Sequence, residues 1–175
     1  VPHNINIENG PYGKPFLRDA PNLYFNLSHS GSKALIIVSD SEVGIDIEYV
    51  DPYINYWEIA DYCFSQEEFK LIENQQDRFQ KCLKFFELWT QKEALLKGLG
   101  TGLIGDMKNT NPHHFNNFPP LNETQKQWHL RTFIESNNQY VFSVAYKSFI
   151  KKQFLYDVYS PPVTRRPLSC DQEEK

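Results

Sequence analysis

The segment from Phe85 to Gly100, FFELWTQKEALLKGLG, consists of strong helix formers, contains no proline and stops at glycines suited to a helix C-terminus. It predicts a buried helix that the rest of the chain has to pack around. Projected at about 100° per residue, Phe85, Leu88, Trp89, Leu95, Leu96 and Leu99 share one apolar face, and Glu87, Gln91 and Gly98 fall opposite. Lys92 projects into the apolar face, where an unpaired ammonium is costly, so it has either to snorkel or to meet an anion. Glu93 and Lys97, one turn apart at the edge of that face, read as an ion pair stabilising the helix or as two charged groups of a site.

The other elements have to come from 175 residues, enough for one sizeable core or two small halves sharing an interface. The composition is globular, and a net charge of −4 argues against nucleic acid as a partner while allowing a local pocket built from a few lysines. Cys63, Cys82 and Cys170 show neither CxxC spacing nor nearby histidines, so they read as reduced thiols of a cytoplasmic protein rather than a zinc site or a disulfide framework. No apolar run reaches membrane-spanning length and no signal peptide is evident, so no membrane partner is expected.

Along the chain, Ile5-Asn6-Ile7 alternates before the turn-rich Asn9-Gly10-Pro11-Tyr12-Gly13-Lys14-Pro15. Leu23–Leu27 predicts a strand that runs into a polar turn at Ser28-His29-Ser30-Gly31. The apolar run 34–39 suits a strand covered on both faces. Val43–Tyr49 alternates strictly, with Ile45 and Ile47 inward and Asp46 and Glu48 on the opposite face, roughly 7 Å apart. A helical stretch follows at Trp57–Tyr62. Ser65 and Glu68 then form a capping-box pattern, and a polar break at Asn74–Asp77 precedes the main helix. Residues 101–122 predict an irregular connection, whose His113-His114 pair lacks acidic or cysteine neighbours and reads as no metal site. Two alternating runs, 127–134 and 139–146, flank Ser136-Asn137-Asn138 as a β-hairpin, and the proline-rich tail 160–175 predicts disorder. The fold class is α+β.

Asp46, Glu48 and Glu93 are all hard oxygen donors. Brought together they would suit Mg²⁺, with Lys92 and Lys97 flanking substrate phosphates; kept apart, Asp46 and Glu48 are the wet face of an amphipathic strand. Here a resemblance enters. Gly44-Ile45-Asp46-Ile47-Glu48, followed by Trp89-Thr90-Gln91-Lys92-Glu93-Ala94-Leu95-Leu96-Lys97, resembles the paired signature of 4′-phosphopantetheinyl transferases. Tyr12-Gly13-Lys14-Pro15, Phe25–Gly31, Phe64-Ser65 with Glu67-Glu68, and Gly98-Leu99-Gly100 resemble the surfactin-synthetase-activating subtype, and the likeness runs from about residue 10 to 146.

The resemblance implies an antiparallel sheet packed on the long helix. Residues 1–42 would end a first half and carry coenzyme A-binding motifs, and 43–159 would form the metal and catalytic half. It further implies Mg²⁺-dependent transfer of the phosphopantetheine arm of coenzyme A to a serine of an acyl or peptidyl carrier protein. Asp46, Glu48 and Glu93 would hold the metal, and Glu93 would also serve as base. Lys97 and Lys92 would contact the pyrophosphate, and Lys14, Pro15, Ser28 and His29 the nucleotide and its phosphates. For His29 the residues alone equally allow a turn histidine capping backbone groups. Members of this subtype have two pseudo-symmetric halves and the chain starts near the end of the first, so a missing N-terminal half or a partner chain is expected to complete the pocket. The competing readings are a coenzyme A- or carrier-binding module without turnover and another Mg²⁺-dependent phosphoryl-transfer enzyme.

Overall fold

Eleven elements follow one another in the computed structural model, which describes residues 5–102, 107, 108, 110, 128–147 and 153–159. The strands are β1 (Ile7–Asn9), β2 (Pro15–Leu17), β3 (Tyr24–Ser30), β4 (Lys33–Ser39), β5 (Val43–Tyr49), β6 (Trp128–Ile134), β7 (Tyr140–Lys147) and β8 (Gln153–Tyr159). Between β5 and β6 come α1 (Tyr56–Cys63), α2 (Gln66–Glu73) and α3 (Arg78–Leu99). All strand pairs are antiparallel, in sheets ordered β1-β2, β3-β4-β8 and β5-β7-β6. The α+β class expected from the sequence is the one observed. The His113-His114 pair, Cys170 and the tail from 160 lie outside the described residues.

The helix predicted from Phe85 begins earlier, because Asp77 in the polar break accepts the Gln80 amide at 2.8 Å and so caps α3 at Arg78. It ends at Gly100, whose φ of 70° is the left-handed conformation glycine adopts freely. The Ser65/Glu68 capping box starts α2, with both reciprocal bonds formed. An aromatic cluster, in which Phe85 packs on Tyr56 and Phe64, fastens α1 and α2 to α3.

Gly98 is not on a wet face as the helical projection had it. It is buried against β5, and a Cβ on Gly44 would stand 2.0 Å from the Ala94 carbonyl oxygen and 2.4 Å from the Gly98 nitrogen. Two glycines, one per element, thus let β5 and α3 touch backbone to backbone. Trp128 closes over the other side, its ring where a Gly98 Cβ would be. Because the sheet β5-β7-β6 lies flat on it, α3 is buried beyond its one apolar face, with Thr90 and Glu93 inside as well as Lys92 on that face. Thr90 meets Ser143 of β7 at 2.9 Å, so the polar helix face is matched by a polar patch of the sheet.

The predicted turn at Ser28–Gly31 is displaced by three residues of strand. β3 continues through Ser30 and the tight turn is Gly31-Ser32, with Gly31 at φ 56°. The reason is a seam with β5. Asn26 Oδ1 accepts the Ile45 amide (2.8 Å), Ser28 Oγ the Ile47 amide (3.3 Å) and Ser30 Oγ the Tyr49 amide (3.0 Å). The constant offset makes the two strands parallel neighbours, joined by side chains rather than by a backbone ladder. Alternation at period two, which reads as a polar turn when only its end is considered, is what such a seam demands. Leu35, Ile37, Ile45 and Ile47 fill the core between these sheets, while the other face of β4 is half-buried rather than fully covered.

Candidate active site

β5 and α3 each contribute a carboxylate at their glycine contact. Asp46 follows Gly44 by two residues, hence on the same face of β5, and Glu93 precedes Ala94, whose carbonyl meets Gly44. Both are buried, Asp46 to 3 % and Glu93 to 8 % exposure. Burial pushes the Asp46 carboxyl up to about 6 against the attraction of Lys97, with Glu48 adding a smaller upward push. Burial first, then the negative charge of Asp46, pushes Glu93 up to about 7, and Lys97 again opposes. Each carboxyl keeps one buried oxygen, Asp46 Oδ2 and Glu93 Oε1, without a hydrogen-bond partner among the described residues.

Lys97 is the local counter-charge. Its ammonium lies 2.6 Å from Asp46 Oδ1 and 3.0 Å from Ser28 Oγ, with its side chain 30 % exposed. Ser28 donates to Asp46 Oδ1 at 2.8 Å, and Ser30 donates to Glu48 Oε2 at 2.8 Å. Among the described residues no three His, Cys, Asp or Glu side chains already stand as a metal cage. The expected trio of Asp46, Glu48 and Glu93 is therefore not preassembled. Lys97 stands against Asp46 and the Ser30 hydroxyl takes one oxygen of Glu48. What is formed is a pair of buried carboxylates with two orphaned oxygens, and orphaned buried oxygens of this kind fit a hard cation that completes its shell with water and phosphate.

Lys97 also lines a cavity of about 330 Å³ with Tyr12, Lys14, Pro15, Leu96 and Gly100, within the usual volume of small-ligand sites. A second cavity of about 310 Å³, walled by Pro15, Leu17, Pro21 and Tyr24, lacks Lys97, and neither cavity is lined by Asp46, Glu48 or Glu93. Lys14 reaches both, but its ammonium donates to the Gly98 carbonyl at 2.6 Å and the Val43 carbonyl at 3.3 Å, and burial lowers its pKa. In this arrangement Lys14 ties the turn before β2 to the end of α3. Pro15 borders both cavities, whereas His29 projects from the exposed side of β3, opposite Ser28.

The pyrophosphate contact expected of Lys92 does not match where its ammonium sits. Fully buried, it lies 3.0 Å from Glu68 Oε2 and donates to the Met107 and Thr110 carbonyls at 2.6 and 2.7 Å. The reason is the one that made Lys92 conspicuous in the sequence: on an apolar face it needs an anion, and α2 supplies one. The charges that act on Asp46 are those of Lys97 and Glu48, and those that act on Glu93 are Asp46, Lys97 and Glu48. Sequence reasoning passed over Asn26, Ser30, Gly44 and Ser143 as parts of the site. Their signal was the period-two polar run at 26, 28 and 30 and the single glycine inside β5.

Fold and site define an α+β domain in which a partly exposed lysine pairs with a buried carboxylate on one side and lines a ligand-sized cavity on the other. Residues 42–145 match the 4′-phosphopantetheinyl transferase superfamily, and the chain belongs to it. It is 42 % identical over 91 residues to the 4′-phosphopantetheinyl transferase psf-1 of Bacillus pumilus, covering 52 % of this chain and 38 % of that protein. It is 35 % identical over 100 residues to the transferase Sfp of Bacillus subtilis, covering 57 % and 43 %. Over 132 residues it is 30 % identical to the L-aminoadipate-semialdehyde dehydrogenase-phosphopantetheinyl transferase of Candida glabrata, covering 73 % and 51 %. The chain thus spans about half the length, or less, of these curated relatives. Among the described residues no helix is long and apolar enough to cross a membrane.

Proposed function

We propose that this chain carries the catalytic part of an enzyme transferring the 4′-phosphopantetheine arm of coenzyme A to a serine hydroxyl of an acyl or peptidyl carrier protein, in a Mg²⁺-dependent reaction. The observation that carries the reading is the pair Asp46 and Glu93, each buried with an orphaned carboxylate oxygen, next to Lys97 on a cavity wall. Asp46 and Glu93, with Glu48 beside them, would hold Mg²⁺, which when bound supplies charge neutralisation at the pyrophosphate. Lys97 offers the pyrophosphate a single positive charge from the cavity wall.

Glu93 accepts the proton of the incoming serine hydroxyl, directly or through a water. The serine oxygen then bonds to the phosphorus that carries the pantetheine arm. The bond from that phosphorus to the rest of the nucleotide breaks, and adenosine 3′,5′-bisphosphate leaves. Tyr12, Lys14 and Pro15 form the cavity wall that would receive the nucleotide. A cytoplasmic setting, where coenzyme A and carrier proteins are both available, goes with this reading.

The test is intact-mass analysis of an apo carrier domain incubated with the protein, coenzyme A and Mg²⁺. A mass gain of one phosphopantetheine arm is expected, abolished by replacing the carrier serine with alanine. No gain from the longest form of the protein would overturn the proposal.

A further inference from the structure

The seam between β3 and β5 repeats a pattern that hydrogen bonding along an edge does not require. At two successive rungs a β3 hydroxyl does two jobs. Ser28 accepts the Ile47 amide and donates to Asp46, and Ser30 accepts the Tyr49 amide and donates to Glu48. At the rung before, where β5 has Gly44 in place of a carboxylate, β3 carries Asn26, which accepts the Ile45 amide. A serine hydroxyl has one proton to donate and two lone pairs to accept with, so each serine serves one amide and one carboxylate at once, and Ser28 also accepts from the Lys97 ammonium. An amide-bound hydroxyl can rotate little, so its proton points along one direction and fixes the carboxylate it bonds.

We infer that Ser30 is a positioning residue for Glu48, and that with Ser28 on Asp46 it sets the carboxylates of β5 in the pose from which they bind a divalent cation. The inference rests on the proposed metal-dependent reading and adds to it the residues that orient the ligands. Ser30 engages only Oε2 of Glu48, leaving the other oxygen of that carboxylate to a ligand. Hydroxyls that hold ligating carboxylates in this manner act as the outer shell of a metal site, and their loss typically weakens metal binding ten- to a hundredfold, about. Ser30 suits the test better than Ser28. Ser28 is buried and its removal strands the Ile47 amide, whereas the Tyr49 amide bonded by Ser30 is near solvent and finds water.

The experiment is a Mn²⁺ titration, without coenzyme A, of the parent chain and of its Ser30→Ala and Ser30→Thr variants. Free Mn²⁺ is read by electron paramagnetic resonance, and thermal midpoints are measured in parallel. Expected is a Mn²⁺ dissociation constant about tenfold weaker for Ser30→Ala, with the parental value recovered by Ser30→Thr, which keeps the hydroxyl, and little change in midpoint. Mn²⁺ binding as tight in Ser30→Ala as in the parent, or as weak in Ser30→Thr as in Ser30→Ala, overturns the positioning role while leaving the metal site standing. A parent chain that binds no Mn²⁺ overturns the metal reading itself.

Discussion

Gly44 and Gly98 face each other so closely that a methyl group on Gly44 would stand 2.4 Å from the Gly98 nitrogen and 2.8 Å from its Cα. All the atoms in the way are backbone, so nothing can swing aside. This contact sets the distance between β5 and α3, and so the distance between Asp46 and Glu93.

Gly44→Ala should accordingly destabilise the protein by at least the 1–3 kcal/mol, roughly, that overpacking costs, and should lose Mn²⁺ binding even where the fold survives. Urea denaturation and metal titration of the variant read the two effects. A stable variant with parental metal affinity would show that the helix can stand off from the strand without consequence.

The charge pair has a pH signature. Asp46 near 6 and Glu93 near 7 in the folded protein are above their ordinary values of 3.8 and 4.5. Between about pH 4 and 7 the folded state therefore holds protons that the unfolded chain has released, and stability falls as pH rises through that window. At about 1.4 kcal/mol per pH unit, a rise of roughly two pH units in each group should together cost on the order of 6 kcal/mol by pH 8 in the metal-free protein. Because a cation binds the deprotonated forms, Mg²⁺ should raise the thermal midpoint more at pH 8 than at pH 5, and Glu93→Gln should flatten this difference. Equal Mg²⁺ shifts at both pH values would count against a metal held by these carboxylates.

Removal of Lys97 takes away the one cation among the described residues that acts on both carboxylates. Lys97→Ala should reduce transfer by about a hundredfold or more, the cost of losing one preorganised charge at about 3 kcal/mol. Asp46→Ala and Glu93→Gln should abolish it while the circular dichroism spectrum stays parental. Either carboxylate variant turning over at near-parental rate under saturating Mg²⁺ would remove that residue from the ligand set.

The buried pair of Lys92 and Glu68 should behave as a structural unit. Lys92→Met alone leaves the Glu68 carboxylate buried without its cation and should cost about 3–5 kcal/mol. Adding Glu68→Gln removes the stranded charge, keeps an oxygen for the Ser65 amide, and should restore most of the loss. The double variant should then transfer at close to the parental rate. A well-folded double variant without activity would instead put Lys92 at the pyrophosphate.

Elements with a strong local signature were legible in the sequence: β5 from its strict alternation, α2 from its capping box, the β6–β7 hairpin from its paired runs. The convergence of Asp46 and Glu93 was expected only by joining separate motifs, and the structure brings it about through Gly44, a residue with no side chain to advertise it. Ser28–Gly31 was read as a turn because a short polar run ending a strand looks like a loop. The partner of Ser28, an amide two strands along the chain, leaves no local trace. Lys92 was recognised as anomalous, but an anion on α2 satisfies it as well as a phosphate would, and helical periodicity cannot tell the two apart.

The seam has one more consequence. β5 is the outer strand of its sheet, and an outer strand offers its amides to any passing extended chain. Asn26, Ser28 and Ser30 occupy three of those amides with side-chain oxygens. A strand from a second molecule could add there only by first stripping off β3. The polar teeth of β3 therefore act as a stopper against sheet growth, at the strand whose carboxylates can least tolerate a shift in register.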